Sequence, residues 1–369
     1  MRKTNIGVYK VAMSGPEDTR SLEELIDSKQ VDPNNIIAIL GKTEGNGNVN
    51  DFTRGYSTAT FTAFLSDTLN MSKKEVADKV AFVMSGGTEG VMSPHATIFT
   101  KDYIESDDIP TEKSLDVEIG FTREFLPEEI GTMVMVREVE RKVLEIMDNI
   151  NMKKEDVHFV QIKCPLLTSE RIKDAETRGE NVVVTDTYKS MGYSRAASAL
   201  GIAFALDEVD KKLVKQEDIL LNQNLYSSIA STSAGVELMN CEIIIMGNSS
   251  NAVSNFRIGH SIMKDSIDGS GVIDAMKNTG LKFNKLPSKE DKEKIVNILA
   301  KAEASPDGYV KGRRTTMLTD SDISHTRYAR AVVNAVISSL VDDPMVYVSG
   351  GAEHQGPAGG GPIAVIIKK

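Results

Sequence analysis

A five-residue pattern, Ser-x-Gly-x-Glu, recurs three times along the chain, as Ser85-Gly86-Gly87-Thr88-Glu89, Ser233-Ala234-Gly235-Val236-Glu237 and Ser349-Gly350-Gly351-Ala352-Glu353. Each copy follows the same two landmarks in the same order. An apolar run closes on lysine at Lys42 (IIAILGK), Lys163 (VHFVQIK) and Lys301 (IVNILAK), as a buried strand delivering Lys at one end would. A hydroxyl residue then precedes arginine at Arg54, Arg195 and Arg327 (FTR, YSR, HTR) and opens an apolar, helix-like segment. There the Thr or Ser would cap the helix and the Arg would sit in its first turn. Lys-to-Arg separations are 12, 32 and 26 residues and Arg-to-Ser separations 31, 38 and 22. Order persists while loop length varies, which is how insertions between fixed elements behave. Similarity on this scale means that one supersecondary unit is used more than once.

The flanking segments agree. An apolar strand follows each serine motif (HATIF, EIIIMG, PIAVII), and each third opens on a candidate strand (VYKVAM, LDVEIGF, NFRIGH) and a helix-like stretch. The clearest helix is TMVMVREVERKVLEIMDNI, with Val136, Val139, Val143, Ile146 and Ile150 at spacings of three and four. The chain thus reads as three α+β units, 1–105, 112–250 and 255–369, joined by the polar segments KDYIESDDIPTEKS and GNSSNAVSN. Closed into a ring with approximate threefold symmetry, such units would gather the lysines, arginines and serines around one pocket. A net charge of −10 over 369 residues leaves no basic face for nucleic acid. No stretch approaches the roughly 20 apolar residues that span a bilayer, and MRKTNIGVYK lacks a signal-peptide core, so a cytoplasmic protein is expected.

Lysine beside serine is a way to make a nucleophile: an amine kept neutral by desolvation or neighbouring cations takes the hydroxyl proton, and the serine attacks a carbonyl carbon. Arginines would hold the amine neutral and attract an anionic or carbonyl-rich small molecule. Glycines after the serine let backbone N–H groups approach an oxygen that becomes negative in the transition state. Amide hydrolysis fits that set. One Ser-Gly-Gly would be an ordinary turn; the threefold recurrence reverses those odds. The five histidines have no zinc spacing. The GPAGGGP loop, Gly356 to Pro362, exposes carbonyl oxygens suited to Mg²⁺ or Ca²⁺, with Glu303 a candidate carboxylate. Cys164 and Cys241 read as reduced core residues.

SGGTEGVMSPH at 85–95, SAGVELMN at 233–240, LAKAEASPDG at 299–308, DSDISHTRYARAVVNAV at 320–336 and SGGAEHQGPAGGGPIAVI at 349–366 together resemble the cyanuric acid hydrolase and barbiturase family of ring-opening amidohydrolases, over essentially the whole chain. The resemblance implies an α+β fold of three homologous units with pseudo-threefold symmetry around a central barrel-like core of strands, helices outside, and a homotetramer. It implies Ser233 as nucleophile and Lys163 as its general base, with Lys42 and Lys301 completing the other Lys–Ser pairs. Arg54, Arg195 and Arg327, with Ser85 and Gly86, Ser233 and Ala234, and Ser349 and Gly350, would bind ring carbonyls. No cofactor is implied for the chemistry, but a structural Mg²⁺ is, on Glu303, Ala352, Gln355, Gly356, Pro357 and Gly360. The implied activity is opening of cyanuric acid to carboxybiuret, then biuret and CO₂; the alternatives are barbituric acid as substrate, or a ligand-binding member without catalysis. Ala234 stands where the other motifs have glycine.

Overall fold

The computed structural model describes residues 2–105, 112–316 and 324–369. The expected join over 101–114 and the motif from Asp320 therefore lie partly outside the described residues. Strand β1 (Arg2–Ala12) is followed by α1 (Arg20–Asp27), β2 (Ile36–Lys42), α2 (Phe52–Leu69), α3 (Lys73–Lys79), β3 (Ala81–Ser85) and β4 (His95–Glu105), with sheet order β1-β4-β2-β3. Next come β5 (Ser114–Phe121), α4 (Met133–Asn149), β6 (Val157–Pro165), α5 (Ser169–Thr177), α6 (Thr187–Ala205), β7 (Ala230–Gly235) and β8 (Glu242–Ser249), in the order β5-β8-β6-β7. Then follow β9 (Phe256–Met263), α7 (Gly269–Asn278), α8 (Lys289–Glu293), β10 (Ile295–Ala302), β11 (Tyr309–Val310), β12 (Arg313–Arg314), α9 (His325–Val341), β13 (Tyr347–Gly350) and β14 (Gly361–Lys368). The third sheet runs β9-β14-β10-β13, the same order again, and β11 and β12 pair as a separate ribbon.

In each four-stranded sheet the Lys-bearing strand pairs in parallel with the Ser-bearing strand, and the remaining pairs are antiparallel. A parallel pair needs a crossover, and helices supply it: α2 and α3, α5 and α6, and α9.

Strand alternation decides which side chains meet. Ile36, Ile39, Phe82 and Met84 of the first sheet face α1 to α3 in a core of their own. Val160, Ile162, Ala230 and Ala234 do the same beneath α4 and α6, and Ile298, Ala300, Val346 and Val348 beneath α7 and α9. The opposite faces share a fourth core, in which Leu40, Val83, Phe159, Leu299 and Tyr347 from all three sheets pack together. Because side chains alternate with period two, Lys42 follows Leu40, Ser85 follows Val83, Lys163 follows Phe159 by two steps, and Lys301 and Ser349 follow Leu299 and Tyr347 onto this shared face.

The centre is not a barrel. Among the described residues the strands form three open sheets that pack through apolar side chains, and no hydrogen-bonded ladder closes them into one. No described helix is long and apolar enough to cross a membrane. Cys164 and Cys241 are buried free thiols.

Candidate active site

Register brings each lysine against its serine. Lys42 lies opposite Ser85, Lys163 opposite Ser233 and Lys301 opposite Ser349 on neighbouring parallel strands. The Ser strands are sheet edges, whose outward carbonyls would be left unpaired in the interior. A lysine from another sheet takes each one: Lys42 Nζ donates to Val348 O (2.8 Å), Lys163 Nζ to Met84 O (2.9 Å) and Lys301 Nζ to Thr232 O (2.8 Å). The first sheet thus reaches to the third, the second to the first and the third to the second, always at the carbonyl just before a serine.

The second sheet departs from this scheme in one respect. Lys42 also donates to Ser85 Oγ (3.1 Å) and Lys301 to Ser349 Oγ (3.2 Å), with further bonds to Gly86 O and Gly350 O. Lys163 instead pairs with Glu237 Oε1 at 2.9 Å, and Ser233 Oγ shares a 3.0 Å hydrogen bond with Ser349 Oγ. All three amines are buried and held below the ordinary lysine range. Burial is the main cause in each case; Arg330 adds to it at Lys42, Arg54 at Lys163, and Arg195 at Lys301, whose pKa falls to about 7. Glu237 partly opposes the shift at Lys163.

One small polar cavity collects the serines. Its walls include Arg54, Ser85, Gly86, Arg195, Ser233, Ala234, Ser349 and Gly350, together with Arg330. Arg327 is not among them; it lines a separate cavity with Asn48, Asn50 and Tyr188. The third arginine of the central cavity is therefore Arg330, one helical turn along α9. The sequence held the signal: Tyr193-Ser194-Arg195-Ala196 and Tyr328-Ala329-Arg330-Ala331 share Tyr-small-Arg-Ala, a closer match than the hydroxyl-Arg pairing that singled out Arg327.

The arginines are handed between sheets as well, and in the opposite sense to the lysines. Arg330 of α9 makes a two-pronged ion pair with Glu89, after the first serine motif, its Nε to Oε2 at 2.9 Å. Arg195 of α6 does the same with Glu353, after the third, at 2.8 and 2.5 Å. Arg54 of α2 reaches the second motif through Ala234 O (3.0 Å) and also donates to Asn48 O (2.7 Å). These motif glutamates are site residues whose role their sequence position alone did not disclose. Helix capping also differs from expectation: Asp51 and Asp186, not Thr53 and Ser194, accept the first-turn N–H groups of α2 and α6, so Arg195 stands in the third turn rather than the first.

Residues 7–368 match the model of the amidohydrolase ring-opening protein family. This chain belongs to that family. Cyanuric acid amidohydrolases of Enterobacter cloacae and of Bradyrhizobium diazoefficiens are 55% and 50% identical to it, over 98% and 100% of this chain and 98% and 99% of theirs. A solved cyanuric acid hydrolase superposes with a TM-score of 0.95 at 49% identity, covering 100% of both chains. The cyanuric acid hydrolase structure from A. caulinodans gives 0.90 at 41% identity over 99% of each.

The ring-opening amidohydrolase resemblance implied a structural metal, and the residues named for it can be tested for fit. Glu303 lies under the 351–360 loop, its two oxygens accepting the N–H groups of Ala304 (2.9 Å) and Ala352 (3.1 Å). Burial, then the nearby Glu353 charge, push its pKa up, so a cation would relieve it. Gly356 and Gly359 take left-handed backbone, and a Cβ on either would meet neighbouring backbone at 2.9 Å, which keeps the loop tight around this carboxylate. Gln355 Oε1 accepts Thr232 N at 2.7 Å and keeps a second lone pair. Among the described residues no three His, Cys, Asp or Glu cluster as ligands, so carbonyls would dominate. One carboxylate with amide and carbonyl oxygens suits a hard cation.

Proposed function

We propose that this protein is a cyanuric acid amidohydrolase built from three homologous units, 1–105, 112–250 and 255–369, set about a pseudo-threefold axis. The observation that carries the reading is the gathering of three Lys–Ser pairs and three arginines around one cavity, in a chain half-identical over its whole length to enzymes of that name. Cyanuric acid is a flat ring with three carbonyls alternating with three ring nitrogens. Arg54, Arg195 and Arg330 would direct N–H donors at the carbonyls, and the N–H groups around Gly86, Ala234 and Gly350 would serve an oxyanion.

Ser233 is the nucleophile in this reading and Lys163 its base. Lys163, made neutral, takes the Ser233 proton; Oγ bonds to a ring carbonyl carbon; the C–N bond breaks as the lysine returns the proton to nitrogen; water then releases the acyl group as carboxybiuret, which loses CO₂ to give biuret. Support for the middle pair is its asymmetry: of the three serines only Ser233 has no hydrogen bond to its own lysine, its hydroxyl meeting Ser349 Oγ across the cavity instead. A second reading rests on the opposite observation, that Lys42–Ser85 and Lys301–Ser349 already touch. Comparing Ser233→Ala with Ser85→Ala and Ser349→Ala decides between them. Ser233→Ala should abolish turnover and retain ligand binding; full activity in Ser233→Ala with loss in Ser85→Ala would transfer the role. Rates on cyanuric and barbituric acid side by side test the substrate, and preference for barbiturate would overturn it.

Glu303, Ala352, Gln355, Gly356, Pro357 and Gly360 would hold Mg²⁺, which when bound neutralises the buried carboxylate and fixes the loop behind Ser349. Assembly as a homotetramer is part of the same reading, and light scattering tests it.

A further inference from the structure

Lys163 meets the ring as a base only after it has lost the proton that its ion pair with Glu237 holds, and each completed hydrolysis leaves an acid that ionises. The proton needs a way out of a site whose lysine side chain is 1% exposed. At the second sheet the structure offers one in which the motif glutamate pairs directly with the lysine. Glu237 touches Lys163 on one side and on the other lines an open groove of about 600 Å³, shared with Asp78 of α3, Glu124, Arg171 of α5 and Glu242. Glu242 opens β8 directly opposite Lys163 in the antiparallel register. The corresponding position opposite Lys42 is His95, which sits against Ser93 O, and the register of the third sheet, running to Ala300 opposite Ile363, next reaches Pro362. The partner motif glutamates are likewise committed elsewhere, Glu89 to Arg330 and Glu353 to Arg195.

We infer that Glu237 and Glu242 form a proton outlet that connects Lys163 to solvent through this groove. This rests on Lys163 being the base. The Lys163 N–H bond breaks as an O–H bond forms on Glu237, leaving neutral amine and neutral acid; Glu237 then yields the proton to groove water. Glu242, whose pKa burial raises to about 8, stands protonated at neutral pH and can accept on one oxygen while releasing from the other. Its carboxyl is steadied by the Phe82 N–H at 3.1 Å. The charged and titratable groups that act on Lys163 are Glu237, Arg54 of α2, Cys164 beside it on β6, and Glu242 of β8.

The test is kinetic, on the full chain. Glu237→Gln should lower kcat by about tenfold or more, the scale of a lost proton-transfer group, with KM little changed. Imidazole, a small proton carrier able to enter the groove, should restore much of that loss in a concentration-dependent way. Glu242→Gln should show the same rescue at a smaller deficit, which keeps the test open if Glu237→Gln fails to fold. Glu353→Gln, which frees Arg195, should instead raise KM and ignore imidazole. Wild-type kcat in Glu237→Gln, or a deficit that imidazole leaves untouched in both variants, overturns the outlet. Should Ser233→Ala remain active, the assignment of the middle pair fails first, and the two failures are told apart.

Discussion

Removing Arg330 separates two arginines that are one turn apart on the same helix. Arg330 is 5% exposed at its side chain and paired through two N–H groups with Glu89, itself 22% exposed. Arg330→Ala leaves that carboxylate without its partner, and taking one member from a mostly buried pair costs about 3–5 kcal/mol of stability. A hydrogen bond to a charged group contributes about 1.5–3 kcal/mol, so loss of the guanidinium's contact to an anionic ring predicts a fall in kcat/KM of roughly 10- to 100-fold even where the fold survives. Arg330→Lys keeps the charge but not the fork, and should recover stability better than activity. The Arg330→Ala/Glu89→Ala double variant should regain part of the lost stability, since no unpaired charge remains, yet stay catalytically poor. Arg327→Ala faces a different cavity and should retain kcat/KM within a factor of a few. Thermal melts paired with substrate-depletion rates measure all four. The reasoning is refuted if Arg327→Ala is the crippled enzyme and Arg330→Lys is indistinguishable from the parent.

Three other outcomes follow. Lys301, with a folded pKa of about 7 against 10.5 unfolded, binds fewer protons folded than unfolded between those values; its contribution to stability is therefore poorest below pH 7 and improves as pH rises toward 10.5, and Lys301→Met should flatten that part of a Tm-versus-pH curve. Gly86→Ala would set a Cβ 1.7 Å from the Asp51 carboxylate and 2.9 Å from Gly47 N; displacing the cap of α2 should destabilise by about 1–3 kcal/mol, whereas Ala234→Gly should be mild, and chemical denaturation compares them. A chelator should lower Tm in the parent and have little effect on Glu303→Gln, with metal content read by elemental analysis; equal Tm shifts in both would remove Glu303 from the metal.

Strand-borne parts of the site were legible because period two and a parallel register are local rules. Once IIAILGK and AFVMS are strands, Lys42 and Ser85 fall on one face, and the same holds at Lys163 with Ser233 and at Lys301 with Ser349. Helix-borne parts were less so. Arg327 and Arg330 stand three residues apart, neighbours on a helical surface, and which one points inward depends on how α9 is rotated against β13, a tertiary quantity. The caps failed for a related reason: aspartates at 51 and 186 outcompete the hydroxyl residues nearer the arginines, and in α6 two helical turns separate the cap from the motif. Strand lengths were underread at their outer ends, where β1 and β4 pair from Arg2 opposite Glu105 to Ala12 opposite His95, beyond the apolar runs that announced them. Nor does sequence say that a ring of strands will stop at three open sheets; lysine side chains, not further strands, occupy the edges that a barrel would have joined.

That substitution of side chain for strand bears on how the molecule can be taken apart. A segment carrying only one sheet would present a buried amine that has lost its carbonyl in the neighbouring sheet, an edge carbonyl with no amine, and a glutamate or arginine whose counterpart is in another segment. Cut into thirds, the chain should yield pieces that are each soluble only with difficulty and each inert, and that regain activity only when all three are present at once. Two of the three would leave one lysine and one arginine unanswered, so reassembly is expected to be a three-body event with no active pairwise intermediate.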